Sequence, residues 1–469
     1  MKSLLKPAVL AVSLAIAFPA VAANTLKGFA VLPANTFAEG PTSGQFATGA
    51  NGNPLPLIDK QPVQGFSGVL NGPVAGTFRV MQDNGFGAKT NSADTILRMF
   101  ALQPDFKTAT GGTGTVTPVH FTTGAALPSF SSNSFIQLRD PDGKLGFPIV
   151  ASMTNYPNGA GTTPVDPAIS AGRLLTGSDF DLESVQQDRN GNLWFGEEFG
   201  PFLIKTDATG KVLRKEIALP LPSQVGGVPV NLGTNPIVQS PQNPLPQGSN
   251  NLPQSGGFEG MAINASGTKL YPLLERPVTT DPNQSRLIVS EFDLATESYT
   301  GATFGYRLDP QGTNIGDMVA IDDSRFLVIE RDGRQGDPTI PAFTNPAQFK
   351  KIFMVDMSVL DAEGFAKKTE VVDLMNIADP LDLNGDGKTT FNFPFVTIED
   401  VLIVDANTLL VMNDNNYPGS AGRAFGVSDN NEFILISLSQ PVPEPETWAL
   451  MFAGLGIVGA STLRRKAAR

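Results

Sequence analysis

The 469-residue chain contains no cysteine. That excludes thiol catalysis, disulfide cross-links and every cysteine-based zinc or iron–sulfur site. Histidine is nearly absent, with His120 the single copy. A serine triad would have to use it, and no nucleophile-elbow pattern stands nearby. It reads instead as a strand residue facing solvent or packed within a sheet. Zinc sites built from several imidazoles are excluded within one chain. No phosphate-cradling glycine loop or dinucleotide fingerprint follows a strand. Positive charge is in short supply: 33 Lys and Arg stand against 45 Asp and Glu, for a formal net charge of −12. Such a surface repels nucleic acid and anionic lipid and suits divalent cations.

Turn formers are plentiful, with 48 Gly and 38 Pro spread along the chain without a period. Short strands joined by many turns are the natural expectation. Two stretches, residues 155–172 and 221–256, read as long loops of the kind that are functional or mobile.

Both ends carry apolar runs. Lys2 and Lys6 precede an apolar stretch over 8–18 and small residues at Ala20, Val21, Ala22 and Ala23. This is the layout of a secretory signal peptide, cleaved after Ala22 or Ala23, and the run is too short to span a bilayer comfortably. At the other end, Pro443-Glu444-Pro445 leads into an apolar stretch over 448–463 and then Arg464, Arg465 and Lys466. The basic cluster would stay cytoplasmic. This order resembles the PEP-CTERM sorting signal of Gram-negative bacteria. The resemblance implies an exosortase-type protease as partner, removal of the tail, and delivery to the cell envelope or extracellular matrix. The apolar helix would hold the chain at the membrane transiently, before processing, or permanently, as a plain C-terminal anchor. The expected layout is a signal peptide over 1–23, a lead-in over 24–59, one domain over 60–440 and a sorting tail over 441–469.

The body is organised by a repeated two-part module. A short polar–apolar segment is followed by a turn and then by an apolar strand that ends in an acid. The copies are Gly65-Phe66-Ser67-Gly68 with Phe78 to Asp83, Asp181-Leu182-Glu183-Ser184 with Leu193 to Glu198, Gly257-Phe258-Glu259-Gly260 with Leu270 to Glu275, Ile315-Gly316-Asp317-Met318 with Phe326 to Glu330, and Ile398-Glu399-Asp400-Val401 with Leu409 to Asp414. Strand–turn–strand units of irregular spacing predict an all-β propeller. A sixth blade is expected between Thr115 and Arg173, where residues alternate. The expectation is therefore six blades, with helix confined to the two ends.

In a propeller, equivalent repeat positions converge around one axis. Glu183, Glu259, Asp317 and Glu399 read as one such position; Asp83, Glu198, Glu275, Glu330 and Asp414 read as the second. A ring of carboxylates is costly unless a cation or arginines compensate. Arg276 and Arg331 directly follow two of the acids, and Arg334 is close behind. The candidate catalytic set is Glu259, Glu275, Glu330 and Glu399 with Arg276 and Arg331; Glu183 and Asp414 are candidate metal ligands. The plain alternative is that each acid caps a strand or ties a turn.

The same segments carry a family resemblance. Gly257-Phe258-Glu259-Gly260, Leu274-Glu275-Arg276, Ile329-Glu330-Arg331-Asp332 and Val411-Met412-Asn413-Asp414-Asn415 resemble, in order, the signature segments of the phytase-like family described as having esterase-like activity. Glu198-Phe199-Gly200-Pro201 resembles that family's Glu-Tyr-Gly-Pro, with Phe in place of Tyr. The resemblance implies a propeller, a divalent metal, and hydrolysis of phosphate or carboxylic esters.

Asp382-Leu383-Asn384-Gly385-Asp386-Gly387 matches the start of an EF-hand loop, with oxygen ligands at positions 1, 3 and 5 and Gly at 6. Phe393 stands where the closing Glu would be, so the loop is partial. Asp382, Asn384 and Asp386 are expected calcium ligands, against an ordinary Asp/Asn/Gly turn. The functional expectation is a calcium-assisted ester hydrolase. Its rival is a non-catalytic, calcium-stabilised propeller that holds matrix polysaccharide or a protein partner.

Overall fold

The computed structural model describes residues 23–157 and 162–442. The signal peptide and nearly all of the sorting tail lie outside the described residues. Among the described residues there is one short α-helix, Pro167–Gly172, and no helix long and apolar enough to cross a membrane. That helix falls in a stretch read from sequence as loop. Asp166 starts it by accepting the Ala168 N–H, with Pro at the first helical position.

Among the described residues, five four-stranded antiparallel meanders form the body of the fold, with a few short strands besides. Blade 1 begins with inner strand Phe66–Asn71 and ends with Thr115–Pro118. Blade 2 runs from Leu182–Gln187 to Ile217–Ala218, blade 3 from Phe258–Ile263 to Ser298–Arg307, and blade 4 from Asn314–Ala320 to Ala366–Asp373. Blade 5 takes Asp400–Asp405, Thr408–Met412 and Asn431–Ser437, then borrows Thr25–Leu32 as its outer strand. The inner strands pack on one another in chain order and the fifth returns to the first, so the ring closes.

The fold is a propeller, and its described residues form five blades, not the six expected. Thr115–Pro118, taken from its alternation as the start of a separate blade, is the outer strand of blade 1, and Phe135–Gln137 adds to the same sheet. Alternation marks a half-buried strand but does not say which sheet owns it. The stretch read as a lead-in likewise supplies the ring's closure. Thr25–Leu32 pairs along Asn431–Ser437, and Asn24 ties both neighbours, its Oδ1 accepting the Ser439 N–H at 2.8 Å and its carbonyl the Ala378 N–H at 3.0 Å.

The hairpins form where the turn chemistry says they should. Asp188 Oδ1 accepts the N–H groups of Asn190 and Asn192, with Gly191 at φ 82°. Asn264 Oδ1 accepts from Thr268 and Lys269; Asp322 Oδ1 accepts from Ser324 and Arg325. Between blades the faces are apolar. Trp194, Phe258 and Phe292 are fully buried in the layer shared by blades 2 and 3, each worth about 2–3 kcal/mol.

One irregularity recurs. The pairing of inner strand with second strand slips between Phe66 and Val69 in blade 1, at Glu183 in blade 2, between Phe258 and Gly260 in blade 3, and between Ile315 and Met318 in blade 4. A bulge gives one strand an unpaired residue and re-aims its side chain. The residues so released are Ser67, Glu183, Glu259 and the Gly316–Asp317 pair.

Candidate functional site

The bulged residues and the ends of the second strands meet at the axis. The N–H groups of Asp83, Glu198 and Glu275 donate to the carbonyls of Gly65, Asp181 and Gly257 at 2.7, 2.9 and 2.8 Å. These three residues are therefore structural equivalents. In blade 4 the equivalent place belongs to Arg331, whose carbonyl accepts the Thr313 N–H at 2.9 Å. The repeat thus sets one arginine in a circle of acids. Glu330, one residue earlier, faces the other way. Its carboxylate accepts from the Tyr306 hydroxyl, from Lys368 Nζ at 2.6 Å and from the Asp309 N–H at 2.6 Å. The expectation that Glu330 joins the central acids is corrected: strand side chains alternate, and a one-residue offset sends it to the other face.

Asp317 is likewise displaced. Gly316 occupies the place of Glu183 and Glu259, and a Cβ there would lie 1.9 Å from the Ile398 carbonyl oxygen. Asp317 instead stitches blade 4 to blade 5, accepting the Val401 N–H at 2.9 Å and its neighbour Met318's at 2.6 Å. Burial pushes its carboxyl up to about 7.

Arg331 is the hub. Its Nη2 donates to Glu259 Oε1 at 2.8 Å, Glu399 Oε1 at 2.9 Å and Glu275 Oε1 at 3.2 Å. Its Nη1 donates to the Val396 carbonyl at 3.2 Å. Ser67 Oγ donates to Glu399 Oε2 at 3.1 Å, Asn314 Nδ2 to Glu275 Oε1 at 2.5 Å, and Asn84 Nδ2 to Asp181 Oδ1 at 2.6 Å. Burial works against the Arg331 charge, but Glu259, Glu399 and Glu275 together hold its guanidinium above the usual range.

The acids outnumber it. Asp83, Asp181, Glu183, Glu198, Glu259, Glu275, Glu399 and Asp414 are all at most 8% exposed. Burial raises the carboxyls of Asp83, Glu183, Glu198, Glu259 and Asp414 well above the ordinary range, and neighbouring carboxylates add to it. Asp181 is pushed up to about 6 by burial, with Asn84 and Glu183 opposing. Glu275 is raised by burial although Arg331 and Arg276 hold it down. Crowding of this kind favours a proton or a cation at the centre.

Two triplets have cation-sized geometry: Asp181, Glu183 and Glu198, and Glu198, Glu259 and Glu275. Within each, one oxygen per residue lies within 4.8 Å of the others. Glu198 belongs to both. The donors are carboxylate oxygens alone, a set that fits calcium or magnesium and not a metal that prefers nitrogen or sulfur. Gly257 makes the approach of blades 2 and 3 feasible, since a Cβ there would sit 2.4 Å from Glu198 Cα.

Of the residues singled out from sequence, Glu183, Glu259, Glu275, Glu399, Asp414 and Arg331 converge. Arg276 stands at the rim, its side chain 42% exposed and its Nε 3.6 Å from Glu275 Oε2. Asp181 was not singled out, and Glu198 was seen only as a repeat position; its place in the repeat was the available signal. Ser67 shares the repeat position of Glu183 and Glu259, while Asn84 and Asn314 gave no signal, because each acts through a contact with another blade. His120 caps a turn, its Nδ1 accepting the Thr122 N–H at 3.2 Å.

Asp382, Asn384 and Asp386 lie away from the axis, in a loop between Ile377–Ala378 and Thr390–Phe391. Asp382 Oδ1 accepts the Gly387 N–H at 3.0 Å, Asn384 Oδ1 that of Asp386 at 3.3 Å, and Asp386 Oδ1 that of Lys388 at 2.9 Å. Lys388 Nζ lies 3.7 Å from Asp386 Oδ2 and 3.1 Å from Asp337 Oδ2.

Comparison with known proteins places residues 61–417 on the model of a family described as phytase-like, esterase-like activity of phytase. Residues 441–466 match the PEP-CTERM protein-sorting motif. A secreted protein of Arthroderma benhamiae is 26% identical over 233 residues, 42% of this chain and 44% of its own length; the chain thus spans under half of that relative. Sorting motif and secreted relative together support export. Among solved structures, a β-1,3-galactosidase is 11% identical, covers 84% of this chain and 94% of its own, and has a TM-score of 0.36. An aldose sugar dehydrogenase from Streptomyces coelicolor is 10% identical, with 89% and 100% covered and a TM-score of 0.31. Likeness at that level says nothing of chemistry.

Proposed function

The chain belongs to the phytase-like family, described by its esterase-like activity, and from that premise we propose that it is an exported hydrolase that cleaves phosphate or carboxylic esters at the axis of the propeller with a divalent cation, which we take to be calcium. The observation that carries the reading is the imbalance of eight buried carboxylates against Arg331, with Glu198 common to two cation-sized triplets. Asp181, Glu183 and Glu198, with Glu259 and Glu275 beside them, would hold the cation. When bound, it supplies a Lewis acid that polarises the ester and offsets charge developing on it.

The chain's own groups divide the remaining work. Arg331 orients Glu259, Glu275 and Glu399 through its Nη2, which all three share, so it is a positioning residue. Arg276, half exposed beside Glu275, is the guanidinium placed to meet an incoming anionic group. Glu259, its carboxyl raised by burial and by Glu399 and Glu275 while Arg331 opposes, is the group we assign as general base or acid. Asp382, Asn384 and Asp386 form a second, peripheral calcium site that staples a loop. The sorting motif implies recognition by an exosortase, and we place the mature protein at the envelope or in the matrix, anchored until the tail is removed.

One observation favours the rival. No acid at the axis is more than 8% exposed, so the cation could be a staple for a propeller that only binds polysaccharide or protein. A panel of phosphomonoester, phosphodiester, phytate and short-chain acyl esters, each with calcium and with chelator, separates the two. Calcium-dependent turnover that disappears in Glu259→Gln while the fold persists supports the hydrolase. No turnover on any substrate, with calcium bound, leaves the binding module ahead.

A further inference from the structure

Arg98 is 1% exposed at the head of strand Arg98–Asp105. The Phe135 ring covers one face of its guanidinium, with Cζ 4.1 Å from the centroid. Neither Nε nor Nη1 has a hydrogen-bond partner. Arg286, the other buried arginine outside the axis, pairs with Asp281 at 3.1 Å; Arg98 has no ion pair among the described residues. The carboxylate that acts on it from a distance is Glu39, which is exposed and already accepts the Ser132 N–H at 2.8 Å. Burial pulls Arg98 down to about 9, so it is charged at neutral pH.

Its surroundings repeat the pattern. The antiparallel pairing of these two strands ends at Met81↔Met99, and Gln82 and Arg98 are the next residue on each. Gln82 is 0% exposed and neither end of its amide is partnered. The same holds for Gln64, two residues before Phe66, and for Asn431, two before Phe433. Gln82 pairs with Phe66, and the Phe66 and Phe433 rings meet at 6.3 Å across the seam of blades 1 and 5. Buried polar groups in native proteins nearly always find partners, and a buried charge without one is costlier still. Arg98 borders the same layer, because the Phe135 ring it lies on packs in one apolar cluster with Phe66 and Phe433, and four such side chains beside that layer point to a guest.

We propose that the seam between blades 1 and 5 binds a small monovalent anion of halide size, with Arg98 as its counter-charge and the amides of Gln64, Gln82 and Asn431 supplying N–H donors. A single guanidinium balances a single negative charge, which disfavours sulfate or phosphate. The amides offer donors without adding charge. The seam lies where Thr25–Leu32 closes the ring, and Gln82 immediately precedes Asp83 of the axis. The anion therefore fastens the closure and the acid beside it.

Bromide is the probe. Crystals of the mature chain soaked in sodium bromide are expected to show an anomalous peak within hydrogen-bond distance of the Arg98 guanidinium. Melting temperature should rise by several degrees in sodium chloride or bromide over sodium methanesulfonate at equal ionic strength. Arg98→Gln should abolish that difference. Should that variant fail to fold, Gln82→Leu keeps the test open, with the halide concentration for half-effect raised several-fold. Water alone at Arg98 in the bromide-soaked crystal, or equal melting in the three salts, overturns the proposal. Neither readout depends on ester hydrolysis, so this site stands or falls apart from the axial one.

Discussion

The axis and the Asp382–Asp386 loop use the same side chains in opposite circumstances. At the axis, carboxylates from four of the five blades are pressed into a buried space around the arginine of blade 4, and their charges oppose one another. In the loop, the acids are exposed or half-exposed and their oxygens are occupied with the loop's own N–H groups and with Lys388. Ligand spacing along the chain makes the loop look like the better cation site. Desolvation and crowding, which spacing does not register, make the axis the stronger one.

Four experiments sharpen or break that contrast, taken from the largest effect to the smallest. Arg331→Met removes the one cation that three buried carboxylates share. In chelator it should cost about 3–5 kcal/mol, the usual penalty for stripping one partner from a buried ionic cluster. Denaturant titration should also show calcium restoring much of the loss. A variant as stable as the parent in chelator would mean that the axial charges are not coupled as described.

Glu198→Gln comes next, because Glu198 serves both triplets. Calcium affinity at the tightest site, read by calorimetry, should fall at least about tenfold, or about 1.4 kcal/mol. Asp386→Ala should leave that site unchanged. The reverse ranking would make the loop the principal site.

The third test is pH. Burial lifts Asp317 to about 7 in the folded protein, against about 4 in an unfolded chain. The native state therefore holds a proton that the unfolded state has released. Stability from this group is full below about pH 4 and is lost as pH rises through about 7. Melting temperature of the parent in chelator should decline across that window, and Asp317→Asn should flatten the decline. Matching slopes in the two proteins would show that Asp317 does not carry the effect.

The smallest effect is expected in the loop itself. Asp386→Ala should change stability in calcium by no more than about 1 kcal/mol, the scale of surface substitutions that sever few contacts. A larger loss would promote the loop from staple to keystone.

The repeat was legible without coordinates. Its five copies gave the all-β propeller, and the acids at matching positions gave Glu183, Glu259, Glu275, Glu399 and Asp414 as a convergent set. Residues of like position in a repeat are carried to like radius and height, so pattern alone suffices. The number of blades was not legible, because Thr115–Pro118 alternates whether it begins a sheet or ends one. Nor was the closure, in which Thr25–Leu32 pairs with Asn431–Ser437 from the far end of the chain.

The exchange at blade 4 was also beyond reach. Nothing in Ile329-Glu330-Arg331 says which of the two charged residues faces the axis. The pairing Ile315↔Glu330, followed by a bulge, decides it for Arg331 and turns Glu330 toward Tyr306 and Lys368. By itself the sequence determined the kind of fold, the acidic character of its centre and the exclusion of thiol and multi-histidine chemistry, since these follow from composition and local period. Only the tertiary structure decided which acids meet, which arginine they share and which polar groups are left without partners. Those outcomes depend on register and desolvation, and both are set by contacts between residues far apart in the chain.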